Sequence, residues 1–285
     1  MAERVIDLNR CLFQYPNTDC HRCEMICPRA AIRNRQVDPA CCDDCGLCTA
    51  VCPVGAIQSG TDYDRQLSRT KRLEPQVLMC QRVDEQGMPC LGGLNRRILW
   101  VLSDGRQSLS IDCSRCADCK PAVAAWLQQE VDACNEVLAA AGRPVIARVH
   151  VRTGSGKQQT RQIGRRGFFR SLLHSAAEGA ASFAESQQQR RYRFDPVIWM
   201  ESQQPEPSAV FPGIAVSPGC NACGLCHTLC PEQALSIKRN EVSVQISFDP
   251  VRCTGCELCA VRCPQDVLKI IPSFTGIRVF DSEYY

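Results

Sequence analysis

CTGCELCAVRCP, residues 253–264, places four cysteines at offsets of three, three and four, with a proline behind the last. Nearly the same string stands at 220–231 (CNACGLCHTLCP) and at 42–53 (CDDCGLCTAVCP), and a shorter copy, CHRCEMICP, at 20–28. Two residues after each Cys-Pro comes a small or branched apolar pair: Ala31-Ile32, Ala56-Ile57, Ala234-Leu235 and Val267-Leu268. The chain therefore carries one repeat four times, in two pairs separated by a long middle stretch.

Three cysteines separated by two residues each, on a tight loop, offer three corners to one [4Fe–4S] cube. The fourth, three residues on and stopped by proline, is carried away from that cube toward the one held by the paired repeat. This reading groups Cys220, Cys223 and Cys226 with Cys263, and Cys253, Cys256 and Cys259 with Cys230. It likewise groups Cys42, Cys45 and Cys48 with Cys27. The first copy has Asn17 where its first cysteine is expected, so Cys20, Cys23 and Cys52 need another partner, and Cys11 upstream is the candidate. Cys41 is off-register and is read as a non-ligand. Structural zinc takes four ligands, commonly as two C-x2-4-C pairs across a longer loop, which paired triads followed by Cys-Pro do not form.

Composition agrees with metal ligation. The 23 cysteines are about 8% of 285 residues, dense for a chain of this length, and either disulfides or metal could use them. The start of the chain, MAERVIDLNRC, is charged before any apolar run and does not read as a secretory signal. No stretch approaches the roughly 18–20 apolar residues of a membrane span. The thiols are accordingly expected to be reduced, metal-bound and cytoplasmic. The net charge of +3 is uneven: between Arg152 and Arg193 nine Lys or Arg face two acids, making that segment +7 and the remainder about −4.

Residues 11–57 and 220–268 resemble bacterial-type two-cluster ferredoxin modules. The resemblance implies a small α+β pseudo-twofold fold for each, short helices after the Cys-Pro elements, and the four apolar pairs packed beneath the cubes. If Cys11 does not ligate, only Cys20, Cys23 and Cys52 remain for that cluster, which would then be three-iron or labile.

The middle of the chain has another texture. QVLMC (76–80) reads as a buried strand, LNRRILWVLSDG (94–105) as a helix with Leu94, Ile98, Val101 and Leu102 on one face, and SLSIDC (108–113) as a strand. Pro121 opens a helix striped by Val123, Leu127, Val131, Cys134 and Leu138, and PVIARVHV (144–151) is a further strand. This order predicts an α/β unit with a parallel sheet. Cys80 and Cys113 end strands, while Cys90, Cys116 and Cys119 lie in adjoining loops, where such sheets bind ligands. These five are the candidate ligands of a further metal centre, with Cys116 or Cys119 as the dispensable one. Cys134 belongs to the apolar stripe and is read as core. The strand-end cysteine, the PC-x-G-x-L run and the D-C-x2-C-x2-C loop resemble the iron–sulfur δ subunit of methyl-viologen-reducing hydrogenase. That resemblance implies an additional iron–sulfur cluster. A zinc site and unligated loop thiols are the alternatives.

The basic segment begins as a flexible Gly/Gln-rich linker. Its RRGFFR (165–170) resembles a twin-arginine export motif in an unsuitable mid-chain position, and reads either as a docking helix or as a solvated basic one. QQPEPSAVFPG (203–213) reads as a proline-rich boundary. The expected division is a two-cluster module over 1–62, an α/β domain over 63–152, a linker or helix over 153–208 and a second two-cluster module over 209–285.

No dinucleotide-binding glycine motif, P-loop, HExxH or nucleophile elbow is present, and the four histidines have no spacing suited to acid–base work. His21 and His227, within cluster loops, read as exposed loop residues or as tuners of potential. The chain is thus expected to be a non-catalytic electron-transfer subunit with four [4Fe–4S] clusters and an additional iron–sulfur cluster in the middle domain. Its partner would be a catalytic subunit of flavin, molybdenum, tungsten or hydrogenase type. No specific nucleic acid and no transmembrane segment are expected, and peripheral membrane association is left open. The alternative is a ferredoxin-type assembly or accessory factor, since such factors of periplasmic nitrate reductase pair cluster motifs with a similar arginine-rich string.

Overall fold

A computed structural model of the chain describes residues 4–16, 18–103, 108–150, 192–239 and 243–283. The RRGFFR segment and Asn17 lie outside the described residues. Helix and strand are mixed throughout.

Each ferredoxin-type module is framed by an antiparallel pair that brings its two ends together. Val5–Ile6 pairs with Ile57–Ser59, and Gly213–Val216 pairs with Leu268–Ile271. Between the two repeats of each module lies a hairpin. It is short in the N-terminal module (Ile32–Arg33 with Gln36–Val37) and long in the C-terminal one (Leu235–Arg239 with Ser243–Phe248), where Val279–Glu283 adds a third strand.

Within every repeat a short helix precedes the Cys-Pro element: Arg22–Ile26, Leu47–Val51, Leu225–Leu229 and Leu258–Val261. This corrects the expectation of helices after Cys-Pro. The proline lacks the N–H that a continuing helix needs and biases the preceding cysteine to extended backbone. Cys27, Cys52 and Cys230 accordingly cap their helices in the extended region. Beyond the proline the chain turns, and the third residue after the cysteine has positive φ in all four copies: Ala30 (45°), Gly55 (56°), Gln233 (52°) and Asp266 (51°). The buried apolar pair comes next. The first copy keeps this turn although it lacks a motif cysteine upstream.

The middle domain has the expected order. Val77–Met79, Ser110–Asp112 and Ala147–Arg148 form a parallel three-stranded sheet. Asn95 caps the Arg96–Leu102 helix by accepting from the Ile98 N–H at 3.1 Å. The long helix Pro121–Ala140 has proline in its first turn. It ends in a Schellman motif, with Gly142 at φ +66° and the Arg143 N–H donating to the Leu138 carbonyl at 2.9 Å. Val123, Leu127, Val131, Cys134 and Leu138 are all buried, as are Leu94, Ile98, Val101 and Leu102. One buried ionic group interrupts this core. The Glu130 carboxylate is 4% exposed and accepts from the Arg96 backbone N–H and guanidinium, each at 2.6 Å.

Part of the expected connector is built into the fold. Tyr192–Arg193 adds a strand to Ile57–Ser59, and Asp195 caps the helix Pro196–Ser202 through the Val197 and Ile198 N–H groups. Trp199, Met200, Val210 and Phe211 are buried in the same core as the middle domain, so this proline-rich stretch is a packed strap rather than an open boundary.

Candidate metal centres

The loop geometry of the repeats aims their thiols inward. In three of the four repeats the residue after the second motif cysteine turns the chain into the helix with positive φ, whereas in the first His21 has φ −117°. Gly46 (89°) and Gly224 (80°) do so freely. Glu257 does so at φ 66°, in a region that costs a non-glycine residue roughly 1–2 kcal/mol. After the Cys-Pro turn, the backbone N–H groups of Ala31, Ala56 and Ala234 donate to Cys27, Cys52 and Cys230 Sγ at 3.3, 3.2 and 3.2 Å. These donors stabilise a thiolate and are the kind of contact that tunes an iron–sulfur centre.

The thiols expected to act together are electrostatic neighbours, and adjacent sets also meet. Burial pushes the Cys23 thiol up to about 12, and Cys52, Cys48, Cys20 and Cys11 add to it. Burial raises Cys48, with Cys42 and Cys27 adding, and raises Cys45 to about 12, with Cys48 among its neighbours. Cys226 rises to about 11 through burial together with Cys220, Cys223 and Cys263. Cys259 is raised by burial and by Cys256, Cys253, Cys230 and Cys226. Cys52, Cys27, Cys263 and Cys230 thus each stand among thiols of the paired repeat, and Cys11 stands near Cys23. A one-turn 3-10 helix, Leu12–Gln14, follows Cys11 and packs Leu12 into the module core.

A buried cluster of thiols resists ionising unless a cation is present, and a metal both ionises and holds them. Among the described residues no three His, Cys, Asp or Glu side chains converge on a point fit for a single metal ion. Cys230, Cys253, Cys256 and Cys259 line a single small cavity floored by Ile214, Leu235, Phe248 and Ile270. All four apolar pairs are buried, as expected of the floor beneath a cube.

Two buried arginines were not legible in the repeats. Arg4, 2% exposed, donates to Thr49 Oγ1 at 2.8 Å, meets Asp44 at 2.6 Å and lies 3.9 Å from Cys48 Sγ. Arg97 is buried deeply enough to be lowered to about 10, opposed by the nearby Cys253, and donates to the Val251 carbonyl at 2.9 Å. Each places a positive charge beside one thiol set. His21 is held between Asp19 and Glu24 at 2.8 and 2.9 Å, and His227 Nδ1 meets the Leu235 carbonyl at 2.6 Å.

In the middle domain Cys80, Cys90, Cys116 and Cys119 line a cleft of about 580 Å³. Its far wall is the N-terminal module: Cys41, Cys42, Asp43 and Asp44. Lys120 spans it, donating to the Asp43 carbonyl at 2.5 Å. Gly92, two residues past Cys90, packs against the N-terminal module so closely that a side chain would collide with the Cys45 carbonyl. Burial pushes Cys116 up to about 12, with Cys80, Cys113, Cys90 and Cys119 all adding, so it is the centre of the group. Cys113 lies outside the cleft wall but acts on Cys116 more strongly than Cys90 or Cys119 does, so all five thiols stay candidates. Cys41 is exposed and hydrogen-bonded to Asp38. Cys134 is 0% exposed on the helix stripe.

Comparison with known families agrees with the paired repeats. Residues 219–267 match the 4Fe-4S dicluster domain family, and residues 35–58 match the 4Fe-4S binding domain family. Together these cover about a quarter of the chain, and neither reaches the first repeat or the middle domain. No curated protein matches the chain. No helix among the described residues is long and apolar enough to cross a membrane.

Proposed function

We propose that the chain is an iron–sulfur electron-transfer subunit that relays electrons to or from a catalytic redox partner. It holds four [4Fe–4S] clusters, on Cys11, Cys20, Cys23 and Cys52; on Cys27, Cys42, Cys45 and Cys48; on Cys220, Cys223, Cys226 and Cys263; and on Cys230, Cys253, Cys256 and Cys259. A fifth iron–sulfur centre sits at the cleft on four of Cys80, Cys90, Cys113, Cys116 and Cys119. When bound, such clusters take up and release single electrons, and the protein sets their spacing, exposure and potential. The residues of this chain bury the thiolates over the apolar pairs, donate N–H groups to Cys27, Cys52 and Cys230, and set Arg4 and Arg97 beside two of the sets.

The observation that supports the reading is that Cys230 lines one cavity with Cys253, Cys256 and Cys259, and that Cys263 neighbours Cys226 with Cys220 and Cys223. A flavin, molybdenum, tungsten or hydrogenase-type subunit would supply the substrate chemistry, for which the chain has no acid–base or nucleophilic constellation among the described residues.

Anaerobic purification with co-purifying subunits tests it. The expected yield is about 16 iron and as many acid-labile sulfides per chain for four cubes, with more for the fifth centre. These should be reducible and reoxidisable, and accompanied by a redox subunit. Zinc without sulfide would overturn the reading.

A further inference from the structure

In the chain the middle domain separates the two ferredoxin-type modules; in space the modules touch. The bonds at their junction join neighbours of particular thiols. Arg22, between Cys20 and Cys23, donates to the Gly255 carbonyl at 3.0 Å and faces Glu257 at 3.5 Å, so it grips both sides of Cys256. Arg10, next to Cys11, pairs with Glu232, two residues past Cys230, at 3.1 Å. Cys256 itself packs against the N-terminal module core, as do Cys11, Cys20, Cys23, Cys27 and Cys52. A cleft of about 450 Å³ has Cys52 and Pro53 on one wall and Thr254 and Gly255 on the other.

The other end of the N-terminal module abuts the thiol cleft of the middle domain, through Cys41, Cys42 and Asp43. The middle domain also touches the C-terminal module, but through Arg97 and Val251, away from the cleft. No residue of the C-terminal module lines the cleft among the described residues.

From these junctions we infer that the N-terminal module is the central link of a single wire. Resting on the proposed clusters, the order is the cleft centre, then the set of Cys42, Cys45, Cys48 and Cys27, then that of Cys20, Cys23, Cys52 and Cys11. The next is Cys253, Cys256, Cys259 and Cys230, and the last is Cys220, Cys223, Cys226 and Cys263. Each step moves one electron from a reduced cluster to an oxidised neighbour, with no bond made or broken. The redox partner donates at one end and a second electron carrier accepts at the other. Cys223 is exposed at the C-terminal end and Cys119 at the cleft end, so both termini of the order are open to solvent.

The order makes the junction between Cys23 and Cys256 magnetically visible, because neighbouring reduced cubes split each other's EPR signals. The test uses the full chain, purified anaerobically and fully reduced. In Cys20→Ser the C-terminal signals should lose the splitting that comes from the N-terminal neighbour. Cys116→Ser, which removes a cleft ligand, should leave the C-terminal signals as in the wild type. Cys11→Ser provides a second route to the same loss if Cys20→Ser does not fold. C-terminal signals that change in Cys116→Ser and not in Cys20→Ser or Cys11→Ser would overturn the order, as would signals unchanged in all three. A wild-type chain short of iron and sulfide would instead overturn the proposed function, so the two failures are distinct.

Discussion

The middle domain and the C-terminal module bury their thiols to different extents. In the C-terminal module the cysteines are part of the core: Cys253 and Cys259 are buried among Ile214, Val244, Ile246 and Phe248, with Cys220, Cys226, Cys230 and Cys263 packed around them. In the middle domain Cys80 and Cys116 are buried in a wider apolar core that runs from Leu78 and Leu99 to Leu127 and Leu138, Cys90 and Cys113 are half-buried against it, and Cys119 is exposed at the cleft. The first core is assembled around its thiols; the second also has a long helix, Pro121–Ala140, and a parallel sheet to bury. Thiol content alone does not distinguish the two; the position of the thiols relative to large apolar side chains does.

The largest expected effect comes from that contrast. Stripping the metal by anaerobic chelation should leave amides in Gly213–Val216 and Leu268–Ile271 exchanging with deuterium as in an unfolded chain. Amides in Pro121–Ala140 should stay protected. Loss of protection in both regions together would show that the middle domain depends on metal as well.

A smaller effect tests the independent core. Glu130→Ala removes the charged acceptor of Arg96 and should cost about 2–3 kcal/mol, the range for hydrogen bonds to a charged partner. Chemical denaturation monitored by helix signal should show it, with iron content unchanged. Iron lost in parallel would tie the centres to this core.

Arg4→Met sharpens the comparison within the N-terminal module. Removing a buried positive charge beside Cys48 should make the cluster on Cys27, Cys42, Cys45 and Cys48 harder to reduce by on the order of 1–2 kcal/mol. A redox titration reads this as a lower potential for one cluster among four. An unchanged titration would mean that Arg4 serves packing alone.

A comparable effect separates core thiols from ligands. Cys134→Ser puts a hydroxyl into an apolar stripe and should cost about 1–3 kcal/mol of stability, again without loss of iron. A drop in iron would return Cys134 to the ligand candidates.

Much of this was readable in the sequence because the signals are local. Cysteines at fixed offsets define the repeats, proline sets where each short helix stops, and alternating apolar stripes give the strands and helices of the middle domain. The helices were expected on the wrong side of Cys-Pro, since the ring ends a helix that has already formed. The unreadable features depend on distant partners. Arg4 lies in a charged N-terminal stretch, and only the approach of Thr49 and Asp44 makes it a buried neighbour of Cys48. Residues 203–213 are rich in proline, yet Val210 and Phe211 anchor them in the central core. The direct junction of the two modules depends on Arg10 and Arg22, whose partners lie more than 200 positions along the chain.

The exchange of thiols between paired repeats underlies every cluster assignment, and Cys263→Ser tests it most directly. Iron content and EPR of the reduced, anaerobically prepared variant should show loss or conversion of the cluster on Cys220, Cys223 and Cys226. The signal from Cys253, Cys256 and Cys259 should be retained. Loss of that second signal, with the first intact, would contradict the account.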